Sequence, residues 1–207
     1  LAIERKFIED SIIKLNISKY LSTELSRAGF SRIEIQKTPI LTRITVYVLN
    51  PGRVIGRGGK TIDSITEAIR NKFKVNNPQV NVMEVENKML EPLLVAKNIA
   101  EKFERSMNAR RVIQQALREI IENGALGAEI IANGKLAAKG ARAKSIRKSL
   151  GYIPKAGDVV FLVREAHATA YPKYGAIGVT VRIVPPGTVF PDREIKSIEI
   201  PKSILNS

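Results

Sequence analysis

The sequence predicts an α+β chain in two parts. The first carries helices on a three-stranded sheet. The second carries helices and a roughly four-stranded, mainly antiparallel sheet. Its 207 residues are enough for two small domains, each able to bury a core. Up to about residue 87 the hydrophobic pattern runs helix, strand, strand, glycine loop, helix, strand. Beyond it, two helical stretches precede four strand candidates, and helices set apart from a run of strands mark an α+β domain. Domains are therefore expected at 1–87 and 88–190, followed by an extended tail at 191–207.

Ile3, Phe7, Ile13, Ile17, Tyr20, Leu21 and Leu25 recur at helical spacing, and Gly29 follows as a C-cap. One bent or broken amphipathic helix therefore opens the chain. "SRIEIQKT" alternates Ile33 and Ile35 with polar residues, and "LTRITVYVLN" is rich in β-branched residues, so both read as strands around Thr38-Pro39. Pro51-Gly52 ends the second strand. A glycine-rich stretch then leads into a helix at 60–74 whose apolar side is Ile62, Ile65, Ile69 and Phe73. "QVNVMEV" supplies a short strand through Val80, Val82 and Val85. Helices are expected at 92–106 and 108–123. "LGAEIIAN", "ARAKSIRKSLGY", "DVVFLVREAHATA" and "AIGVTVRIV" are the four strand candidates. The end, "PPGTVFPDREIKSIEIPKSILNS", is punctuated by proline and reads as the tail.

The 34 Lys and Arg against 20 Asp and Glu leave a net charge of +14, which makes a polyanion the expected partner. No apolar run approaches the roughly 20 residues of a spanning helix, so a membrane is not expected. The start, "LAIERKFIEDSII", has no signal-peptide pattern; lacking Met, it is expected to miss a few residues. The absence of cysteine removes disulfides, thiolate zinc sites and Cys nucleophiles, and is compatible with the cytosol. His167 is the single histidine, so no multi-histidine metal site can form within one chain. Neither a metal nor another cofactor is expected.

"PGRVIGRGGKTIDSITEAI", residues 51–69, carries the most suggestive chemistry. Gly59-Lys60-Thr61 ends like a P-loop, but the first glycine of that motif would fall on Val54, and no acidic residue ends a following strand to hold magnesium. A dinucleotide fingerprint counted from Gly56 puts Thr61 at its third glycine. No small-molecule substrate is therefore expected. What fits is Ile55-Gly56-Arg57-Gly58-Gly59-Lys60-Thr61-Ile62, which resembles the Ile-Gly-x-x-Gly-x-x-Ile pattern of the KH fold. There a glycine turn between two helices lets a nucleic-acid backbone approach the protein backbone. Arg53, Arg57 and Lys60 add charge, and the helix beginning near Lys60 points unpaired N–H groups at phosphate. Ile55 and Ile62 are expected to point the flanking helices into the core. The preceding helix–strand order is that of a type II KH domain. The plainer reading is a tight helix–helix turn whose glycines serve geometry alone.

"KLAAKGARAKSIRK", residues 135–148, holds six basic residues and no acid. Arg142 and Lys144 would share one face of a strand, while Lys135, Lys139, Arg147 and Lys148 extend the patch. An ordinary solvated face mixes signs, as Glu4, Arg5, Lys6, Glu9 and Asp10 do. A single-sign patch points to phosphate contact. Few aromatics interleave, which favours backbone and shape contacts with a structured RNA.

"VIGRGGKTI", "NARRVIQQALREIIENGALGAEIIANGKLA" and "REAHATAYPKYGAIGVTVRI", in this order, resemble the ribosomal protein S-three family of the small subunit, in its archaeal or eukaryotic cytosolic branch. The resemblance spans about residues 1–190. It implies a non-enzymatic protein in the cytoplasmic ribosome, bound to ribosomal RNA in the head of the small subunit and beside neighbouring ribosomal proteins. It also implies a place at the channel where messenger RNA enters. Basic helix residues of the family that hold messenger map onto Arg110 and Arg111, and a third basic position falls on Gln114. His167 lies in a family motif but has no catalytic partner, so packing or RNA contact is expected of it. The alternatives are a KH-bearing transcription or RNA-processing factor outside the ribosome, and a DNA-damage lyase. The lyase would need a lysine of depressed pKa, and no motif selects one.

Overall fold

The computed structural model describes residues 2–38, 40–75, 77–105, 108–136, 142–173 and 175–191. The chain divides into two compact units, Leu1–Glu86 and Asn87–Ser207. In the first, helix α1 (Ala2–Glu24) gives way to a single 3-10 turn at Ser26–Ala28. Gly29 then adopts left-handed backbone (φ 75°, ψ 59°) and stops the helix as its C-cap. Ile17, Leu21 and Leu25 form the buried side of α1. Phe7, expected on that side, is instead 74% exposed; Ile8, Ile12 and Leu15 also point outward.

Strands β1 (Phe30–Lys37) and β2 (Thr42–Val48) pair antiparallel across a turn in which the Thr38 hydroxyl donates to the Leu41 carbonyl at 2.7 Å. β3 (Pro78–Glu84) pairs with β2 in parallel, from Thr42 opposite Pro78 to Val48 opposite Glu84. Parallel neighbours require a crossover. Here it is made by a five-residue helix α2 (Pro51–Ile55), the glycine turn and helix α3 (Lys60–Phe73). Ile44, Val46, Val48, Val54, Ile65 and Ile69 are buried around that connection.

In the second unit, α4 (Pro92–Glu104) and α5 (Ala109–Glu122) precede β4 (Gly127–Gly134), β5 (Lys144–Gly151), β6 (Arg164–Ala170) and β7 (Ile177–Val184). The sheet order is β5-β4-β7-β6 and every pairing is antiparallel. One face carries Ala128, Ile130, Ala132, Leu150, Ile177, Val179, Val181 and Ile183 into the core. Val95, Ile99 and Phe103 of α4 and Val112, Ile113, Ala116, Leu117 and Ile120 of α5 close over it. α4 covers β6 and β7, and α5 covers β4 and β5.

The architecture is the expected α+β arrangement, with one difference of detail in the second sheet. The strand candidate "DVVFLVREAHATA" begins as a 3-10 turn at Asp158–Leu162, with Phe161 87% exposed, and only Arg164 starts the strand. Its apolar opening therefore serves a turn. The expected tail lies outside the described residues from 192 onward.

Candidate nucleic-acid interface

The glycine turn follows from short-range geometry. Pro51 begins α2 with its φ already set for a helix. Gly56 ends it at φ 73° and ψ −176°, and its N–H donates to the Gly52 carbonyl at 3.0 Å. A Cβ on Gly56 would lie 2.1 Å from Thr61 Oγ1 and 2.8 Å from Thr61 Cβ. This glycine is therefore demanded by the turn itself. Gly58 (φ 64°, ψ 28°) is different: a Cβ there would meet nothing within 4 Å, so its outer side is open to a ligand. Gly59, also left-handed, is the N-cap of α3 and offers no side-chain hydrogen bond to the helix. The first-turn N–H groups of α3 are thus uncapped by a side chain, the arrangement that favours an anion. Asp63, in the same turn, opposes that field.

Arg53, Arg57 and Lys60 are all exposed around the turn. Arg53 is partly engaged, its Nη1 donating to the Arg27 carbonyl at 2.9 Å. A cleft beside the turn is lined by Tyr20, Glu24, Arg27, Arg53, Thr61 and Ser64, so one carboxylate stands among its cations. Arg27 and Ser64 were not singled out by the sequence, and Thr61 only within the nucleotide motifs that do not fit. Only the fold, by laying the end of α1 against the start of α3, brings them to the loop. Ile55 is corrected: it is 43% exposed, and Val54 takes the buried position. Ile62 is half-buried, on the inner side of α3.

In the second unit, Asn108 caps α5 by accepting from the Arg110 N–H at 3.1 Å. With Ala109, Val112, Ile113, Ala116, Leu117, Ile120 and Ile121 buried, Arg110 and Arg111 are left exposed and Gln114 half-exposed. β5 is an edge strand under this helix. A groove runs between them, lined by Arg110, Gln114, Ser145, Ile146, Arg147 and Lys148. Two basic clusters that are far apart in sequence thus form one surface.

Within that surface the strand sorts the charges. Ile146 stands opposite Ala132 and Lys148 opposite Ile130, so Lys144 and Lys148 lie on the helix-covered side of β5 and Arg147 on the other. Arg142 is corrected: β5 starts at Lys144, and Arg142 sits exposed in the preceding bend rather than sharing a strand face with it. Lys135 is exposed just beyond β4, and a Cβ on Gly175 would lie 3.9 Å from its Cδ. Lys139 falls outside the described residues.

The uncovered side of the sheet carries a row of alternating charges. Glu129 of β4, 0% exposed, accepts from Arg147 Nε on one side and, at 3.4 Å, from Arg182 Nη1 on the other. Arg182 also gives Nη2 to Glu165 Oε1 at 3.1 Å and Nε to Glu165 Oε2 at 3.0 Å. That hydrogen bonding to Glu165 holds the Arg182 guanidinium above its ordinary pKa. His167 ends the row. Its Nδ1 is 3.0 Å from Thr180 Oγ1, its Nε2 is 3.5 Å from Glu165 Oε1, and its side chain is 71% exposed. It is therefore not a packed core histidine. Burial lowers the Lys97 pKa, but Lys97 lies on α4, which covers the opposite end of the sheet from β5. Among the described residues no acidic or histidine cluster could hold a metal ion, and no helix is long and apolar enough to cross a membrane.

The model of the ribosomal protein S3 C-terminal domain matches residues 99–183, and that of the KH domain matches residues 16–90. A small ribosomal subunit protein uS3 from Methanothermobacter thermautotrophicus is 43% identical over 192 residues, covering 92% of this chain and 74% of its own. The chain belongs to the ribosomal protein S3 family. Proteins of the same name from Methanococcus aeolicus and Methanococcus maripaludis are each 41% identical, over 96% and 92% of this chain and 95% and 90% of their own. The KH match contains the glycine turn, and the C-terminal match contains α5, β4, β5, β6 and all of β7 but its last residue, Val184.

Proposed function

We propose that the chain is a structural component of the small ribosomal subunit that binds ribosomal RNA in the head and lines part of the channel where messenger RNA enters. The relatives are named as small ribosomal subunit proteins, which supports the ribosomal role and association with RNA and neighbouring proteins. The observation that carries the finer reading is the α5–β5 groove. It joins Arg110 to Arg147 and Lys148 along an uncapped sheet edge, where a nucleic-acid backbone can be followed by several cations. In this reading residues 1–87 bind RNA through the glycine turn, where Arg57, Gly58, Gly59 and Lys60 meet phosphate while Gly56 keeps the shape. Residues 88–190 supply the groove, with Arg111, Lys144, Lys135, Lys139 and Arg142 adding to its field, and 191–207 form a tail. The protein works in the cytoplasm, in the ribosome, and catalyses no reaction.

Crosslinking the protein to RNA in lysate and sequencing what is attached tests this. Small-subunit ribosomal RNA together with messenger fragments is the expected result. Scattered unrelated transcripts would instead make it an RNA-processing factor.

A further inference from the structure

Glu129 is the one acidic residue buried in the second sheet, and neither the glycine turn nor the basic patch explains it. It stands directly opposite Ser149 on β5 and Arg182 on β7, so Arg147 reaches it diagonally across the β4–β5 pair. The two arginines it holds are spent differently. Arg182 gives Nη1 to Glu129 and both Nε and Nη2 to Glu165. Arg147 gives Glu129 its Nε on the uncovered side of the sheet and remains 48% exposed, and Glu129 takes up neither Nη of its planar fork.

We propose that Glu129 is a positioning residue for nucleic-acid binding. From inside the sheet it fixes the Arg147 guanidinium so that its Nη pair meets a backbone phosphate passing over the β5 edge that borders the α5–β5 groove. Arg182 takes no part in that positioning: it reaches the other carboxylate oxygen of Glu129 only at 3.4 Å and is itself tied down by Glu165. A long side chain that is already immobilised loses less freedom on binding, and a bidentate contact needs the fork held in one plane. This inference rests on the groove being an RNA surface.

The sign of the effect separates positioning from charge. Glu129→Gln removes a negative charge, so an electrostatic account alone has RNA bind more tightly. Positioning has it bind more weakly, by about twofold to tenfold, the cost of ordering one long side chain at the interface. The measurement is fluorescence anisotropy of a labelled single-stranded uridine oligonucleotide titrated with the full-length chain, for Glu129→Gln, Arg147→Ala and the pair together. Weaker binding for Glu129→Gln, and no further loss when it is added to Arg147→Ala, is expected. Arg182→Gln breaks the same row but spares the Arg147 contact, and its affinity should stay at the parent value. If Glu129→Gln does not fold, Glu129→Asp decides: it keeps the charge but withdraws the oxygen from Arg147, and the same loss is expected. Unchanged or tighter binding by the folded Glu129 variant, while Arg147→Ala binds weakly, overturns the positioning role alone. No effect of either Arg147→Ala or Arg110→Ala overturns the groove, and this proposal with it.

Discussion

Replacing Gly56 by alanine should unfold the first unit far more readily than the same change at Gly58, although both glycines belong to one turn. At Gly56 the backbone sits at φ 73° and ψ −176°, a region that side chains avoid at a cost on the order of 1–3 kcal/mol. The new methyl would also lie 2.1 Å from Thr61 Oγ1 and 2.8 Å from Thr61 Cβ. Relieving that overlap moves the start of α3 and costs roughly another 1–3 kcal/mol. Gly58, at φ 64° and ψ 28° with no atom within 4 Å, meets only the left-handed penalty of about 1–2 kcal/mol. In a unit of this size each kcal/mol is worth about 4–8 °C, so Gly56→Ala should lower melting by at least about 10 °C. Gly58→Ala should lower it by about half as much. Calorimetry of the full-length chain, with hydrogen exchange at the amides of β2 to identify the unit that opens, measures both. Adding Thr61→Ala to Gly56→Ala removes the 2.1 Å contact but not the 2.8 Å one and should restore part of the loss. Equal melting of the two single variants would refute the steric reasoning and return Gly56 to a role in ligand approach.

Arg57→Asp with Gly58→Asp should abolish RNA binding at the turn with a small change in melting, since aspartate tolerates left-handed backbone and the space is open; parent-like affinity would leave the loop a turn only. If about six phosphates are neutralised, log affinity against log salt should slope at roughly −4 on a single strand. Reversing Lys144 and Lys148 to Glu should flatten that slope, and an unchanged slope would make them ordinary solvated charges. Arg110→Ala with Arg111→Ala should slow reconstituted ribosomes mainly on messages with stable hairpins near the entrance, and Gln114→Lys should do the reverse. Equal slowing on unstructured messages would assign these arginines to assembly.

Much of the fold could be read along the chain because its signals are local. The αL stop at Gly29, the β-branched run of β2 and the amphipathic periods of α3 and α5 each depend on neighbours within one or two turns. The misreadings occur where the local period is too short or tertiary packing overrides it. α2 has five residues, too few for a helical period to choose between Val54 and Ile55 as the inward side. Val159 and Val160 have strand propensity, yet the chain turns there and β6 begins only at Arg164. The groove had no local signal at all. Its two walls meet because the buried side of α5 and the alternate residues Ile146 and Leu150 of β5 share one core.

That shared core also bears on what a net charge of +14 means for function. A count of cations treats them alike, but the structure divides them. Arg182 is held by two carboxylates, Arg164 lies 3.2 Å from Glu91, and Lys37 bonds Asp10 at 2.7 Å. These ties fix elements to one another, and a phosphate would have to displace a carboxylate to reach them. Arg57, Lys60, Arg110 and Arg111 instead stand exposed at the start of α3 and the start of α5. Both starts follow a turn whose geometry is set by a glycine or an asparagine cap. Local backbone rules therefore decide where the exposed cations sit, and internal ion pairs decide which cations stay out of reach. Arg147 belongs to neither class, since one of its donors is fixed inside the sheet and the rest are presented outside. A substitution at its buried partner should therefore reveal whether recognition here depends on the amount of charge or on its placement.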